Sequence, residues 1–145
     1  MEEWQGYEKI RRFRDNQKQQ TELKYKESVA VFEEHAEHLY ELLKQKESIE
    51  EAYKKSLVEP TKIATLSSYH QYLHFLTPAI LQVQQKVDQA RGEMQKLQEK
   101  VSEDYIEVKK IDKIIEKKKE ASYQIEKRNE ALMMDEISLR QFMHK

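Results

Sequence analysis

Two pairs of histidines have the spacing that could hold a metal ion. His35 and His38 are three positions apart and His70 and His74 are four apart, so each pair lies on one face of a helix. A zinc site takes at least three protein ligands, and each pair supplies only two. The helical pairing predicted below keeps the two pairs apart, so neither completes the other. We therefore expect solvent-exposed surface histidines and no metal site.

The sequence also lacks the motifs of common enzymes. It contains no cysteine, which excludes disulfides, thiolate metal sites and cysteine nucleophiles. It has no glycine-rich phosphate loop, no Gly-x-Ser-x-Gly and no His-Glu-x-x-His. A pair of helices also encloses no cavity that could keep water away from a reaction. We predict that the protein is not an enzyme and needs no cofactor.

Composition indicates which elements must carry any function. Charged residues make up 37% of the 145 residues, whereas glycine and proline contribute two residues each. Sheet folds need many turns, and turns need such residues, so we expect an all-α protein. The longest apolar runs have four residues and the N-terminus has no apolar stretch, which predicts a cytoplasmic protein without a secretory leader. A formal net charge of −1 argues against bulk nucleic-acid binding.

Apolar residues recur at alternating spacings of four and three, the heptad pattern of a coiled coil. From Ile80 to Met143, fourteen of nineteen such positions are apolar, and the polar exceptions concentrate after residue 117. The first half carries a shorter stripe, interrupted by Lys46 and Glu50, with Leu42 and Ile49 beside it. Its apolar members are Tyr25, Val29, Phe32, Ala36, Leu39, Leu43, Tyr53 and Leu57.

Pro60 divides these two stripes, because proline lacks a backbone N–H and ends a helix. The sequence predicts helix one over about 3–58, a tip loop over about 59–66 and helix two over about 67–141, with a capping box from Ser68 to Gln71. Pro78 indicates either a bend or a fresh helix start, and the uninterrupted stripe favours the bend.

A short connection makes consecutive helices antiparallel neighbours. The fold predicted for residues 1–145 is therefore a single long antiparallel two-helix coiled coil, a hairpin with a C-terminal helical overhang. Residues beyond about 120 have no counterpart in helix one. The apolar cluster they carry indicates a partner site, self-association or simple fraying. Its members are Leu132, Met133, Met134, Ile137, Leu139, Phe142 and Met143.

Charge and aromatic residues are also unevenly distributed. Residues 109–128 hold eight basic and four acidic residues, and the predicted pairing places them beside Arg11, Arg12 and Arg14. Residues 27–59 hold nine acidic and four basic residues. Both patterns fit ordinary solvated helix faces, but their segregation also suits an acidic partner at the basic part. Aromatic residues at the start of helix two either thicken the core or form a docking strip. They are Tyr69, Tyr72 and Phe75.

Two segments and the hairpin plan together resemble a known family. Residues 69–76 read Tyr-His-Gln-Tyr-Leu-His-Phe-Leu, a Tyr-x-x-aromatic-x-x-x-Leu pattern at the start of the second helix. Residues 134–143 read Met-Asp-Glu-Ile-Ser-Leu-Arg-Gln-Phe-Met, like a Met-Asp-Glu…(Arg/Lys)-x-x-x-Met ending. With the hairpin plan at matching length, they make the sequence resemble the flagellar export protein FliJ family, the stalk component of the type III export ATPase complex.

The resemblance implies a non-catalytic role in flagellar protein export. Members are similar to the two-helix core of the rotary ATP-synthase γ subunit, and they insert the part carrying the termini into a hexameric export ATPase. The tip region contacts the cytoplasmic part of the membrane export gate, and members also hand on empty export chaperones. This implies a cytoplasmic protein peripherally associated with the membrane export apparatus. A general coiled-coil export chaperone and a structural coiled-coil protein are the alternatives.

The resemblance also assigns residues to the two contacts. The strip facing the export gate, called the gate strip below, would consist of Ile49, Tyr53, Tyr72, Leu76, Ala79 and Val83. The residues facing the ATPase would be Arg11, Arg12, Arg14, Leu139, Arg140 and Met143.

Overall fold

The computed structural model describes residues 4–144, and these form two helices. Helix α1 spans Trp4–Val58 and helix α2 spans Ile63–Met143. No strand occurs among these residues. The predicted fold class, an all-α hairpin of two long packed helices, is confirmed. The predicted start of helix one, at about residue 3, lies outside the described residues.

The helices contribute to two compact units. Within the described residues, unit 1 combines residues 4–20 of α1 with residues 102–144, and unit 2 consists of residues 21–101, including the connection between the helices.

The end of α1 follows from Pro60 and the hydrogen bonds around it. The Glu59 backbone N–H donates to the carbonyl of Lys55 at 3.2 Å, and the Thr61 hydroxyl donates to the carbonyl of Ser56 at 3.0 Å. These bonds satisfy carbonyls that the last helical turn leaves without a partner. Because Pro60 cannot continue the helix, the chain turns here.

Helix α2 begins earlier than predicted. The carbonyl of Lys62 accepts hydrogen bonds from the backbone N–H groups of Thr65 and Leu66, at 3.1 and 3.3 Å, so the first turn starts at Ile63. Ser68 therefore lies inside the helix, and the expected Ser68–Gln71 capping box does not mark its start. Two antiparallel helices can be joined by two to five residues, and the four residues 59–62 are enough here.

Pro78 does not interrupt α2. The helix runs continuously through it, as predicted, rather than starting afresh. Proline has no N–H to donate to the preceding turn. The Thr77 hydroxyl donates to the carbonyl of Leu73 at 3.0 Å, which adds a side-chain bond within that turn.

The core of unit 2 follows the predicted stripe of α2. Its buried apolar side chains alternate at spacings of four and three, and they are Leu76, Ile80, Val83, Val87 and Ala90, while α1 contributes the buried polar residues Thr21 and Ser28. The prediction for α1 was partly wrong. Leu42 and Ile49 are half-buried, whereas Leu43, Glu50 and Leu57 are exposed. Apolar residues occur on both sides of this part of α1, so the side that faces α2 is decided by the pairing of the helices.

The core of unit 1 is apolar on α2 and largely polar on α1. Val108 and Ile115 are buried, while Arg14 and Lys18 of α1 are half-buried. Long basic side chains can cover apolar surface with their hydrocarbon stems while the charge stays hydrated. The apolar residues of this part of α1 are divided, because Trp4 and Tyr7 are half-buried whereas Ile10 and Phe13 are exposed.

The overhang predicted beyond residue 120 is present as a helix. Every described residue from Tyr123 onward is exposed, yet α2 continues to Met143. This stretch therefore presents its apolar side chains on a single helix.

Leu76 should be a major contributor to the stability of unit 2. Its side chain is 1% exposed, so the change Leu76→Ala removes buried methyl groups and leaves a cavity. We expect a loss of about 3 kcal/mol in the free energy of unfolding, measured by urea denaturation with circular dichroism. The control is Leu81→Ala on the same helix, where the side chain is 57% exposed and the change should cost less than about 0.5 kcal/mol. Equal losses for the two variants would contradict this description of the core.

Candidate functional site

The gate strip lies within unit 2, and only part of it is accessible. Leu76 and Val83 are buried and belong to the coiled-coil core. Ile49, Tyr53 and Ala79 are half-buried. A partner could reach Leu76 and Val83 only if the helices separated.

Tyr72 is the most accessible member of the gate strip. Its ring is 42% exposed, and its hydroxyl donates to the Gln45 side-chain oxygen of α1 at 3.3 Å. That contact spans both helices of unit 2 one turn before Ile49. The bond therefore ties the Tyr72 side chain to α1 while much of the residue stays accessible.

Phe75 extends this accessible surface, although the sequence-based strip did not include it. Its ring is 66% exposed, and its centroid lies 6.3 Å from that of Tyr72. Aromatic pairs at this separation attract each other, which helps to fix both rings. In the sequence, Tyr72 and Phe75 are three positions apart, so they lie on the same side of the helix, one position away from the buried stripe. This spacing is the sequence signal that could have identified the exposed pair.

The three arginines assigned to the ATPase lie in unit 1 in different environments. Arg12 is exposed, Arg14 is half-buried, and Arg11 forms a short ion pair with Asp112 across the two helices. The hydrogen bond to Asp112 and the charge of that carboxylate raise the pKa of Arg11 above its ordinary value. An arginine is charged at any physiological pH, so this pair links the helices without acting as a pH switch.

The remaining residues assigned to the ATPase lie far along α2. Asp112, the partner of Arg11, precedes Leu139 by 27 positions, which is about 40 Å along a helix. The structure therefore does not bring the arginines together with Leu139, Arg140 and Met143. Unit 1 carries two separate candidate surfaces, an arginine-containing one and an apolar one.

The apolar surface, called the terminal face below, occupies the overhang of α2. None of its side chains is buried, and Leu139 is 61% exposed. Arg140 forms an ion pair with Glu136 one turn earlier, at 3.5 Å. The exposed apolar residues are Ile125, Leu132, Met133, Met134, Ile137, Leu139, Phe142 and Met143. So many apolar side chains on a bare helix are typical of a protein-binding surface.

The basic segment at residues 109–128 is partly neutralised within unit 1. Lys119 pairs with Glu8 of α1 at 3.5 Å, and Lys110 pairs with Glu107 at 3.4 Å. Lys109 lies over the ring of Tyr105, with its ammonium 5.4 Å from the ring centroid. Exposed pairs such as these contribute at most about 1 kcal/mol each. Of these three contacts, only the Lys119–Glu8 pair links the two helices, and together they leave less free charge than the sequence suggests.

The histidines form no metal centre within residues 4–144. No group of three or more His, Cys, Asp or Glu side chains in this range is placed to hold an ion. His35 is half-buried, and His38, His70 and His74 are exposed.

Neither helix, over the described residues 4–144, is long and apolar enough to cross a membrane. What the candidate surfaces present to solvent is mainly apolar and aromatic side chains.

Comparisons with known proteins point to one family. Residues 5–145 match the family described as Flagellar FliJ protein. A curated relative, the Flagellar FliJ protein of Bacillus subtilis (strain 168), is 34% identical over 137 residues, covering 94% of this chain and 93% of that protein. No solved structure matches. With a match over nearly its whole length and a relative of similar size, the chain belongs to the flagellar FliJ family.

Proposed function

We propose that this protein is a non-catalytic stalk and adaptor of the flagellar type III export apparatus. Membership of the FliJ family supports a flagellar, export-related protein. The observation that carries the finer proposal is the terminal face, a helix of unit 1 with an apolar surface that no other described part of the chain covers.

The terminal face suits insertion into a ring of identical subunits. A bare helix carries no lateral partner that would have to be displaced before it enters a central pore. Its exposed leucine and methionine side chains can pack against several different subunit surfaces, since methionine is unusually adaptable. The face would bind the hexameric export ATPase and stimulate its assembly, with Arg12 and Arg14 contacting acidic groups at the ring.

The accessible part of the gate strip is proposed to contact the cytoplasmic part of the export gate. Tyr72 and Phe75 offer two neighbouring exposed rings, and aromatic side chains are enriched in the energetically important centres of interfaces. With the ATPase bound through unit 1 and the gate through unit 2, the protein would couple the two machines and associate peripherally with the membrane apparatus. Empty export chaperones are further proposed partners.

This proposal is tested by deleting the gene and measuring flagellar proteins in the culture medium by immunoblotting. We expect the deletion to abolish secretion of filament protein while its cytoplasmic synthesis continues. The intact gene supplied in trans should restore secretion. Normal secretion by the deletion strain would contradict a role in export.

A general coiled-coil export chaperone is the second candidate function. The observation that favours it is the presence of three exposed methionines in the terminal face, Met133, Met134 and Met143, because methionine-rich surfaces bind many different sequences. A chaperone should bind unfolded export clients of unrelated sequence with similar micromolar affinity. A stalk should bind the assembled ATPase in preference to unfolded chains, so competition between the two ligands decides between the functions.

A further inference from the structure

The first part of α1 covers a section of the same heptad stripe that the terminal face continues. Val108 and Ile115 of α2 are buried in unit 1, where residues 4–20 are the part that α1 contributes. Farther along α2, the stripe continues through Ile125 and Leu132, which are exposed. One apolar stripe of α2 is therefore covered over its first section and uncovered over its second.

The covering segment, residues 4–20, contributes no buried side chain to unit 1. Seven of its side chains are half-buried, and five of these seven are charged. They are Trp4, Tyr7, Glu8, Arg11, Arg14, Asp15 and Lys18. In unit 2, by contrast, most half-buried side chains of α1 are apolar or aromatic, such as Phe32 and Leu39. Because burial of apolar surface is the main source of pairing energy, residues 4–20 should be held less firmly than the rest of α1.

Ion pairs provide much of the contact between this segment and α2. Arg11 pairs with Asp112, and Glu8 pairs with Lys119 at 3.5 Å. All four side chains are at least 36% exposed. Exposed pairs contribute little, because water screens them and each long side chain loses conformational freedom. A segment held in this way can separate locally while other parts of a protein stay folded.

We propose that residues 4–20 form a strap that separates from α2 and closes again while the helices of unit 2 stay paired. Opening exposes Val108 and Ile115, and so lengthens the uncovered stripe by about two heptads. The closed strap thus conceals an extension of the terminal face. That a partner bound at the terminal face would favour the open form rests on the proposed ATPase binding, whereas the opening itself does not.

Thiol labelling of the full chain tests the opening, because the native sequence has no cysteine. The compared variants are Val108→Cys, under the strap, and Val87→Cys, in unit 2, whose native side chains are 4% and 5% exposed. Each is treated with an aromatic disulfide reagent, and its labelling rate is divided by the rate of the same variant in urea. We expect Val108→Cys to react at least about tenfold faster than Val87→Cys.

Charge reversal tests the contact that holds the strap. In the Val108→Cys background, Arg11→Asp should raise the labelling rate roughly tenfold, because it replaces an ion pair by two facing carboxylates. Adding Asp112→Arg should restore the original rate. The matched control is Lys9→Asp, the same change of charge at an exposed position of the strap, and it should leave the rate unaltered. Labelling of Val87→Cys should respond to none of these changes.

Trp4 gives a second readout that needs no introduced cysteine. It is the one tryptophan of the chain, is half-buried, and lies in the strap seven positions before Arg11, on the same side of the helix. Acrylamide quenching of its fluorescence should increase in Arg11→Asp and return to the wild-type value in the double swap with Asp112→Arg. Circular dichroism verifies that each variant stays helical.

Three results would overturn the proposal. They are equal labelling rates for Val108→Cys and Val87→Cys, a double swap that labels as fast as Arg11→Asp alone, and quenching of Trp4 that no charge change alters. Each experiment uses the protein alone, so failure of the strap is distinguishable from failure of the proposed export function, which the secretion assay tests.

Discussion

Replacing Leu139 by aspartate should weaken binding of the hexameric export ATPase by about a hundredfold. The side chain is 61% exposed and makes no core contact, so its replacement should leave the fold intact. In the complex, the change removes buried apolar area and puts a carboxylate where an apolar surface must be desolvated, a combined cost of about 3 kcal/mol. Binding is measured by titrating labelled protein with the ATPase.

The matched control is Leu23→Asp, because Leu23 is 60% exposed but lies on α1 in unit 2. It should bind the ATPase as the wild type does. Both variants should retain the helical circular dichroism spectrum. If Leu139→Asp bound the ATPase with wild-type affinity, the terminal face would not be the ATPase-binding surface.

Replacing Tyr72 by alanine should reduce export at least about tenfold while ATPase binding stays unchanged. The substitution removes the accessible ring of the gate strip and the bond to Gln45, and leaves Phe75 without its neighbour. Aromatic residues at interface centres commonly contribute 2 kcal/mol or more, so about a tenfold or larger effect is expected. Export is measured by the amount of filament protein secreted into the medium.

Two controls separate the loss of a specific gate contact from a general effect of removing an exposed tyrosine. Tyr40→Ala removes a tyrosine of the same unit that is 65% exposed, and it should export normally. Tyr72→Phe keeps the ring but loses the hydroxyl bond to Gln45, and it should retain most export if the ring is what the gate contacts. Normal export by Tyr72→Ala would refute the gate assignment, and a defect equal in Tyr40→Ala would make it nonspecific.

The fold was largely predictable because one helix repeats a simple pattern. From Ile80 to Ser122, the expected stripe of α2 matches the half-buried and buried positions, since spacings of four and three suffice to define one side of a helix. The connection was less predictable. Serines at 67 and 68 are good helix-capping residues, but only the backbone bonds of Lys62 reveal where the first turn begins.

The sequence of α1 alone does not show which of its sides faces α2. Leu42 and Leu43 are adjacent and equally apolar, yet the first is half-buried and the second is exposed. The ion pair of Arg11 with Asp112 likewise joins residues 101 positions apart. Such contacts depend on the register of the second helix, which the stripe alone defines only within a heptad.

The candidate sites were predictable to different degrees. Exposure of the terminal face followed from counting residues, because helix one is too short to cover it. Near the start of α2, the sequence pattern alone placed the buried Leu76 in the gate strip and left out the accessible Phe75 beside it, because both belong to the same aromatic and apolar cluster. Affinity for a particular partner depends on surfaces that this chain does not contain.

A stalk function requires this protein to act on the export ATPase. The most direct measurement is ATP turnover by the cognate hexameric export ATPase with and without the protein, alongside sedimentation of the mixture. A stalk should increase turnover and form a hexamer-sized species that contains the protein. Unchanged turnover and separate sedimentation, with the protein fully helical, would contradict the stalk function.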